Sequence, residues 1–287
     1  RLLPVSPAVP LPGGLMPLGD PAGKVAVVTG AASGIGRALV DHAAALGMQV
    51  VACDVAASAL IGFDDAVVTH AADVADADEV EALAVAVFER FGAVHLLCNN
   101  AGVFQAGRAW EATDEEWRWA FDVNVFGIIN GIRSFVPRML DGGDDGHVVN
   151  TASVAGFVAA PLNGPYTASK TAALSVTECL AHDLQSVNAR IGASVLTPSA
   201  IRTGIARTDV VRPDEMAAES ELASGVRDIL EQLTDAGLDP AVVPPIVFEA
   251  IEAGDFLIPT KPSHRAQIEM RFEAMRDRQL PPTPPVD

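Results

Sequence analysis

Tyr166 and Lys170 stand four residues apart in Tyr166-Thr-Ala-Ser-Lys170. On a helix that spacing puts both side chains on one face, about 5–6 Å apart at Cβ. A phenol ionises near pH 10, so proton transfer near pH 7 asks for a shift of about 3 units, or about 4 kcal/mol. A cation about 4 Å away at an effective dielectric of about 20 supplies roughly that much. Lys170 is therefore expected to lower the Tyr166 pKa. Ser153 follows the apolar run His147-Val-Val-Asn-Thr151, and its hydroxyl suits a carbonyl or carbinol oxygen. Taken alone, such a pair also occurs on solvated helices, and such a serine in ordinary turns. The chemistry needs a cofactor site in register with it.

Val25-Ala-Val-Val-Thr-Gly-Ala-Ala-Ser-Gly-Ile-Gly-Arg37 has the form of one. A β-branched run is followed by Gly30, Gly34 and Gly36, with Ser33 and Ile35 between them, and then by an amphipathic pattern ending at Gly47. Strand, glycine turn and helix direct free backbone N–H groups at an anion such as pyrophosphate. A second apolar run, Gln49-Val-Val-Ala-Cys-Asp54, ends in a carboxylate, where an adenosine ribose is held. Asp54 can accept from both ribose hydroxyls of NAD. The 2′-phosphate of NADP would meet repulsion of roughly 3 kcal/mol per unit charge at about 5 Å. Arg37 is the nearby cation, and it falls inside the helix after the glycines. The expected cofactor is NAD.

The elements that must carry these residues alternate. Short strands are expected at 25–28, 49–54, 66–70, 94–99, 147–151, 192–196 and 256–258. Helical patterns are expected from Arg37, over 78–91, from the capping box Thr113-Asp-Glu-Glu116 to about Leu140, and over 166–187. Asn124 falls inside the third of these, and Pro137 is expected to kink its end. The expected fold is α/β, a doubly wound parallel seven-stranded sheet with helices on both faces, Rossmann-like. Right-handed crossovers then bring the strand C-termini to one edge, where ligands bind.

The net charge of −18 argues against nucleic acid as a partner. No apolar run reaches the roughly 18 residues of a membrane span. Cys53, Cys98 and Cys179 have no metal-like spacing, so no metal is expected; buried free thiols and a cytoplasmic setting are. Residues 1–22 form a proline-rich leader without periodicity, expected to be disordered, and residues 1–20 are expected to be removable with little loss of stability. The catalytic domain is expected over 23–260, with a substrate lid at about 203–237. Ile201, Ile205 and Val210 suggest an apolar pocket there. Residues 261–287 form a C-terminal extension, helical from His264 to Arg278.

The chain resembles the short-chain dehydrogenase/reductase family in its single-domain form over about residues 22–260. The resemblance rests on Thr29-Gly-Ala-Ala-Ser-Gly-Ile-Gly36, Asp73-Val74, Asn99-Asn-Ala-Gly102, Asn124, Ser153 and Tyr166-Thr-Ala-Ser-Lys170. It implies Tyr166 as general acid/base, Ser153 positioning the substrate oxygen, and Lys170 binding the nicotinamide ribose. Asn124 would support a proton-relay water. It also implies cofactor contacts from Asp73 and Val74 near adenine and from Asn100, with Ala101 and Gly102, near the adjoining ribose. Ile201 and Thr203 would meet the nicotinamide. Hydride transfer between NAD(H) and a secondary alcohol or ketone, in a homodimer or homotetramer, is the implied function. The rivals are an NADPH-linked 3-oxoacyl-type reductase, disfavoured by Asp54 and the neutral Ser33, and a non-catalytic dinucleotide-binding protein, disfavoured by the complete Ser–Tyr–Lys–Asn set. One departure is Ser199, where the family usually has glycine after the sixth strand.

Overall fold

The computed structural model describes residues 17–64, 66–207, 211–213, 216 and 220–283. Strand β1 (Val25–Thr29) is buried along its whole length. Val25 and Val27 pack into one apolar layer, and Ala26 and Val28 into the other. A strand with apolar residues at both parities is stable only between two covered faces. Each fully buried valine contributes about 1.5–3 kcal/mol.

β2 (Gln49–Asp54), β3 (Val67–Ala71), β4 (Leu96–Asn99), β5 (Gly146–Thr151), β6 (Ile191–Thr197) and β7 (Leu257–Pro259) complete the sheet. Its order is β3-β2-β1-β4-β5-β6-β7, and every pairing is parallel. Helices α1 (Gly34–Ala45) and α7 (Val243–Ala253) cover one face through Leu39, Val40, Val247 and Ile251. Helices α2 (Ala77–Phe91), α4 (Gly127–Gly142) and α5 (Gly164–Ser186) cover the other through Leu83, Val87, Phe135 and Leu184. The chain reverses between β1 and β4, so the loops leaving them part and open a crevice at the C-terminal edge.

The helix expected from Thr113 to Leu140 is not one regular helix. The capping box is present, with Thr113 accepting from the Glu116 N–H and Glu116 from the Thr113 N–H. It starts α3 (Asp114–Phe121), and a π-helical stretch over Asp122–Phe126 then leads into α4. A π turn holds one extra residue, which rotates the helix faces on either side of Asn124. Pro137 lies inside α4 and does not end it. Two helices were not anticipated, α6 (Glu221–Asp235) within the expected lid and α7, while α8 (His264–Arg276) was.

The leader is partly corrected. Residues 1–16 lie outside the described residues, but Leu18 is buried among Val40, Met48 and Val247. The Leu18 carbonyl accepts from Lys24 Nζ, and the Gly19 N–H donates to Glu252. The segment from Leu18 onward is thus packed on the domain. The thiols are corrected in part as well: Cys53 and Cys98 are buried, whereas Cys179 is exposed on α5.

Candidate active site

Three loops close on one another at the crevice. Gly30 and Gly34 have φ of 65° and 55°, which keeps the turn after β1 tight. A Cβ on Gly30 would lie 2.7 Å from Ala101 Cα, and one on Gly34 2.8 Å from Thr203 Cγ2. A Cβ on Gly36 would lie 2.0 Å from the Gly30 carbonyl, so α1 starts against the turn itself. Ser33 is the N-cap of α1, yet its side chain caps nothing and the first turn holds no acid. The N–H groups at that terminus are left for an anion.

A cavity of about 880 Å³ runs along this edge. Gly30, Ser33, Gly34, Ile35 and Asp54 line it from the loops after β1 and β2. Asp73, Val74, Asn100, Ala101 and Gly102 line it after β3 and β4, and Ser153, Tyr166, Lys170, Ile201 and Thr203 from β5 onward. Gly36 and Asn124 are behind the wall. The cradle without β-carbons and the uncapped helix fit a dinucleotide.

Asp54 is fixed in place: Oδ2 accepts from the Ala32 N–H at 2.9 Å and Oδ1 from the Ala56 N–H at 3.0 Å. Each oxygen keeps a lone pair for a ribose hydroxyl. Arg37 is held elsewhere. Its guanidinium pairs with Asp41 at 3.0 Å, donates to the carbonyls of Ile61 and Gly62, and covers the Phe63 ring at 4.0 Å.

At the other end, Ser153 lies close enough to the Tyr166 phenol to act on its ionisation. The Ser153 hydroxyl also accepts from the Ala155 N–H at 3.1 Å. Lys170 is 2% exposed; its Nζ donates to the Thr151 carbonyl at 3.1 Å and lies 5.8 Å from the Tyr166 ring centroid. The expected lowering of the Tyr166 pKa is not found in the ligand-free protein. Burial raises the phenol above its usual value, and the nearby Ser153 hydroxyl only partly opposes it. Lys170 itself falls to about 8, because burial disfavours its charged form. The Coulomb expectation omitted desolvation, which acts on both groups.

Asn124 is fully buried. Its Nδ2 donates to the Val103 carbonyl at 2.9 Å and to Ser169 Oγ at 3.0 Å, and its Oδ1 accepts from the Val103 N–H at 2.9 Å. It ties the π stretch, the chain after β4 and α5 together. A Cβ on Gly102 would lie 3.1 Å from both Asn124 Oδ1 and Lys170 Nζ. Ser199 is not in the left-handed region, and its N–H donates to Thr260 Oγ1 at 3.0 Å. The serine therefore fits without strain where glycine is usual.

Beyond Tyr166 the wall turns apolar, with Phe104, Val158, Ile205, Val211 and Leu230. The Phe104 and Tyr166 rings meet edge-on, 4.9 Å between centroids. Val210 lies outside the described residues. Arg212 holds this side down: it donates to Gln105 at 2.6 Å and to Glu116 at 3.1 Å, both largely buried, and lies 5.7 Å from the Trp119 ring. Phe104 stands two residues after the Asn-Ala-Gly motif and could have been found there. Arg212 is one arginine among many in a polar segment, so the sequence carried no cue.

A model of the short chain dehydrogenase family matches residues 24–213. A dehydrogenase/reductase of CLA biosynthesis from Lactiplantibacillus plantarum is 30% identical over 263 residues, 87% of this chain and 92% of that one. The 1-deoxy-11-beta-hydroxypentalenate dehydrogenase of Streptomyces avermitilis is 40% identical over 193 residues, 64% of this chain and 71% of that one. Among solved structures, a short chain dehydrogenase/reductase from Burkholderia phymatum in complex with NAD superimposes with a TM-score of 0.88. It is 40% identical and covers 92% of this chain and 98% of its own.

Proposed function

The chain belongs to the short-chain dehydrogenase family and is an oxidoreductase, and we propose that it interconverts an apolar secondary alcohol and its ketone with NAD(H). The observation that carries this is the meeting of Ser153, Tyr166 and buried Lys170 on the wall of one cavity, beside its apolar end and in line with the glycine turn. The α1 N-terminus with Gly30, Ser33, Gly34 and Ile35 would hold pyrophosphate. Asp54 would hold the adenosine ribose, Asp73 and Val74 the adenine, and Asn100 to Gly102 the adjoining ribose. Lys170 and Tyr166 would hold the nicotinamide ribose, and Ile201 and Thr203 the nicotinamide. When bound, that ring supplies the hydride acceptor or donor.

Ser153 orients the substrate oxygen, and Tyr166 takes its proton in oxidation or returns it in reduction. A lysine near 8 exchanges protons readily at neutral pH, which suits Lys170 to recharge the phenol. Asn124 touches no reacting atom and is a positioning residue. Asp54, with Arg37 held away, supports NAD over NADP. Half-exposed Phe126, at the end of the π stretch that carries Asn124, supports assembly of two or four copies. Among the described residues no helix is long and apolar enough to cross a membrane, and two buried free thiols suit the cytoplasm.

The test is NADH formation from NAD⁺ and a panel of apolar secondary alcohols by the wild type and Tyr166→Phe. Turnover is expected with the first, and a loss of at least about 100-fold with the second, while NAD⁺ still binds. Near-normal kcat in Tyr166→Phe would overturn the assignment.

A further inference from the structure

The C-terminal helix α8 buries the wrong kind of residue. Its buried side chains are His264 and Gln267, while Phe272 and Met275 are more than half exposed. A helix docked only for stability turns its apolar stripe inward. Gln267 is 9% exposed, lines the cavity, and its Oε1 is buried with no hydrogen-bond partner among the described residues. Leaving a buried acceptor unmade is costly, and native proteins rarely do so without a use for it.

Sheet order says which half of the cavity it serves. The adenosine side is formed after β1, β2 and β3; α8 follows β7, at the opposite edge. Thr260, between β7 and α8, accepts from the Ser199 N–H and so joins this corner to the loop after β6. Thr283, beyond α8, lines the same cavity. The extension is therefore a wall of the substrate half, which it shares with apolar Phe104, Val158, Ile205 and Leu230 and with Asn163, whose Oδ1 is likewise buried without a partner among the described residues.

We propose that Gln267 is a specificity residue, and that its Oε1 accepts a hydrogen bond from a second hydroxyl of the substrate, remote from the reacting carbon. The substrate class is then an apolar secondary alcohol or ketone bearing one further hydroxyl. This rests on the dehydrogenase reading above. It gives the unpartnered Gln267 oxygen a use: a site built to bond a hydroxyl rejects the analogue lacking it far more strongly than an apolar wall discriminates a methylene.

The test uses the full chain with NAD⁺, a set of decalin diols and each matching decalol, with wild type, Gln267→Met and Gln267→Leu. Without ligand, both variants are expected to melt at or above the wild-type temperature, because no bond is lost. Wild type is expected to bind at least one diol about tenfold or more tightly than its decalol by thermal shift, and the variants to bring that ratio near one. Melting several degrees lower in both variants would make Gln267 a structural bond and overturn the proposal. So would no diol preference in the wild type, or a preference that survives in the variants. Alcohols that bind with this preference yet give no NADH would instead overturn the dehydrogenase reading and leave the Gln267 contact standing.

Discussion

Lys170 Nζ lies 5.8 Å from the centre of the Tyr166 ring, and both groups are held neutral-leaning by burial, the lysine near 8 and the phenol above its usual 10. In the ligand-free protein their neutral forms coexist over the range between. The pair is therefore not a preformed ion pair, and on the proposed reading it works as an acid–base couple once a further charge is bound.

That state has a stability signature. Below pH 8 Lys170 is protonated in folded and unfolded chains alike, and the fold carries the cost of a buried cation. Between about 8 and 10.5 the unfolded chain binds the extra proton, so stability rises with pH. The whole effect is on the order of 3 kcal/mol. Lys170→Met should remove the cost at pH 7, less about 1 kcal/mol for the lost bond to Thr151. The difference between variant and wild-type stability should shrink as pH climbs through this window. A difference in melting temperature that is flat from pH 7 to 10.5 would contradict it.

On the proposed reading, cofactor choice depends on Asp54 and on where Arg37 is spent. Asp54 is locked by two backbone N–H groups, and Arg37 is occupied by Asp41 and the 61–63 loop. Repulsion of even about 3 kcal/mol is more than a hundredfold. kcat/KM should favour NAD(H) over NADP(H) by at least about that factor, and Asp54→Ala should narrow the gap. Equal efficiency with both cofactors would mean that Asp54 does not face the ribose.

Arg212 fastens the segment before α6 to Gln105 and Glu116. Removing one member of a largely buried pair costs about 3 kcal/mol. Arg212→Ala should therefore loosen the apolar side of the site. KM for an apolar alcohol should rise about tenfold or more while kcat changes less, the pattern of lost uniform binding. A lower melting temperature with KM unchanged would show Arg212 to be a structural brace only.

How much of this was readable follows from the range of the forces involved. β1, its glycine turn and α1 were legible because strand period, glycine and helix period are local and agree. That Tyr166, Lys170 and Ser153 meet at one cavity was legible through spacing and family resemblance together. The π turn at Asn124 was not, since one extra residue leaves the surrounding apolar pattern helical. The pKa directions were not, because desolvation depends on what distant elements cover. Gln267 was not, because a glutamine in a charged C-terminal helix reads as solvated until β7 is seen to deliver it to the cavity. Leu18 was missed because one apolar residue among prolines has no period.

Tyr166 is the single tyrosine of the chain, so its ionisation can be followed directly by tyrosinate absorbance. One positive charge about 5 Å from the phenol, at an effective dielectric of about 20, is worth about 3 kcal/mol, or about two pH units. Without ligand the phenol should titrate above 10. With saturating NAD⁺ it should titrate about two units lower, and with NADH it should stay high. The same titration above 10 in all three states would contradict Tyr166 as the group that moves the proton.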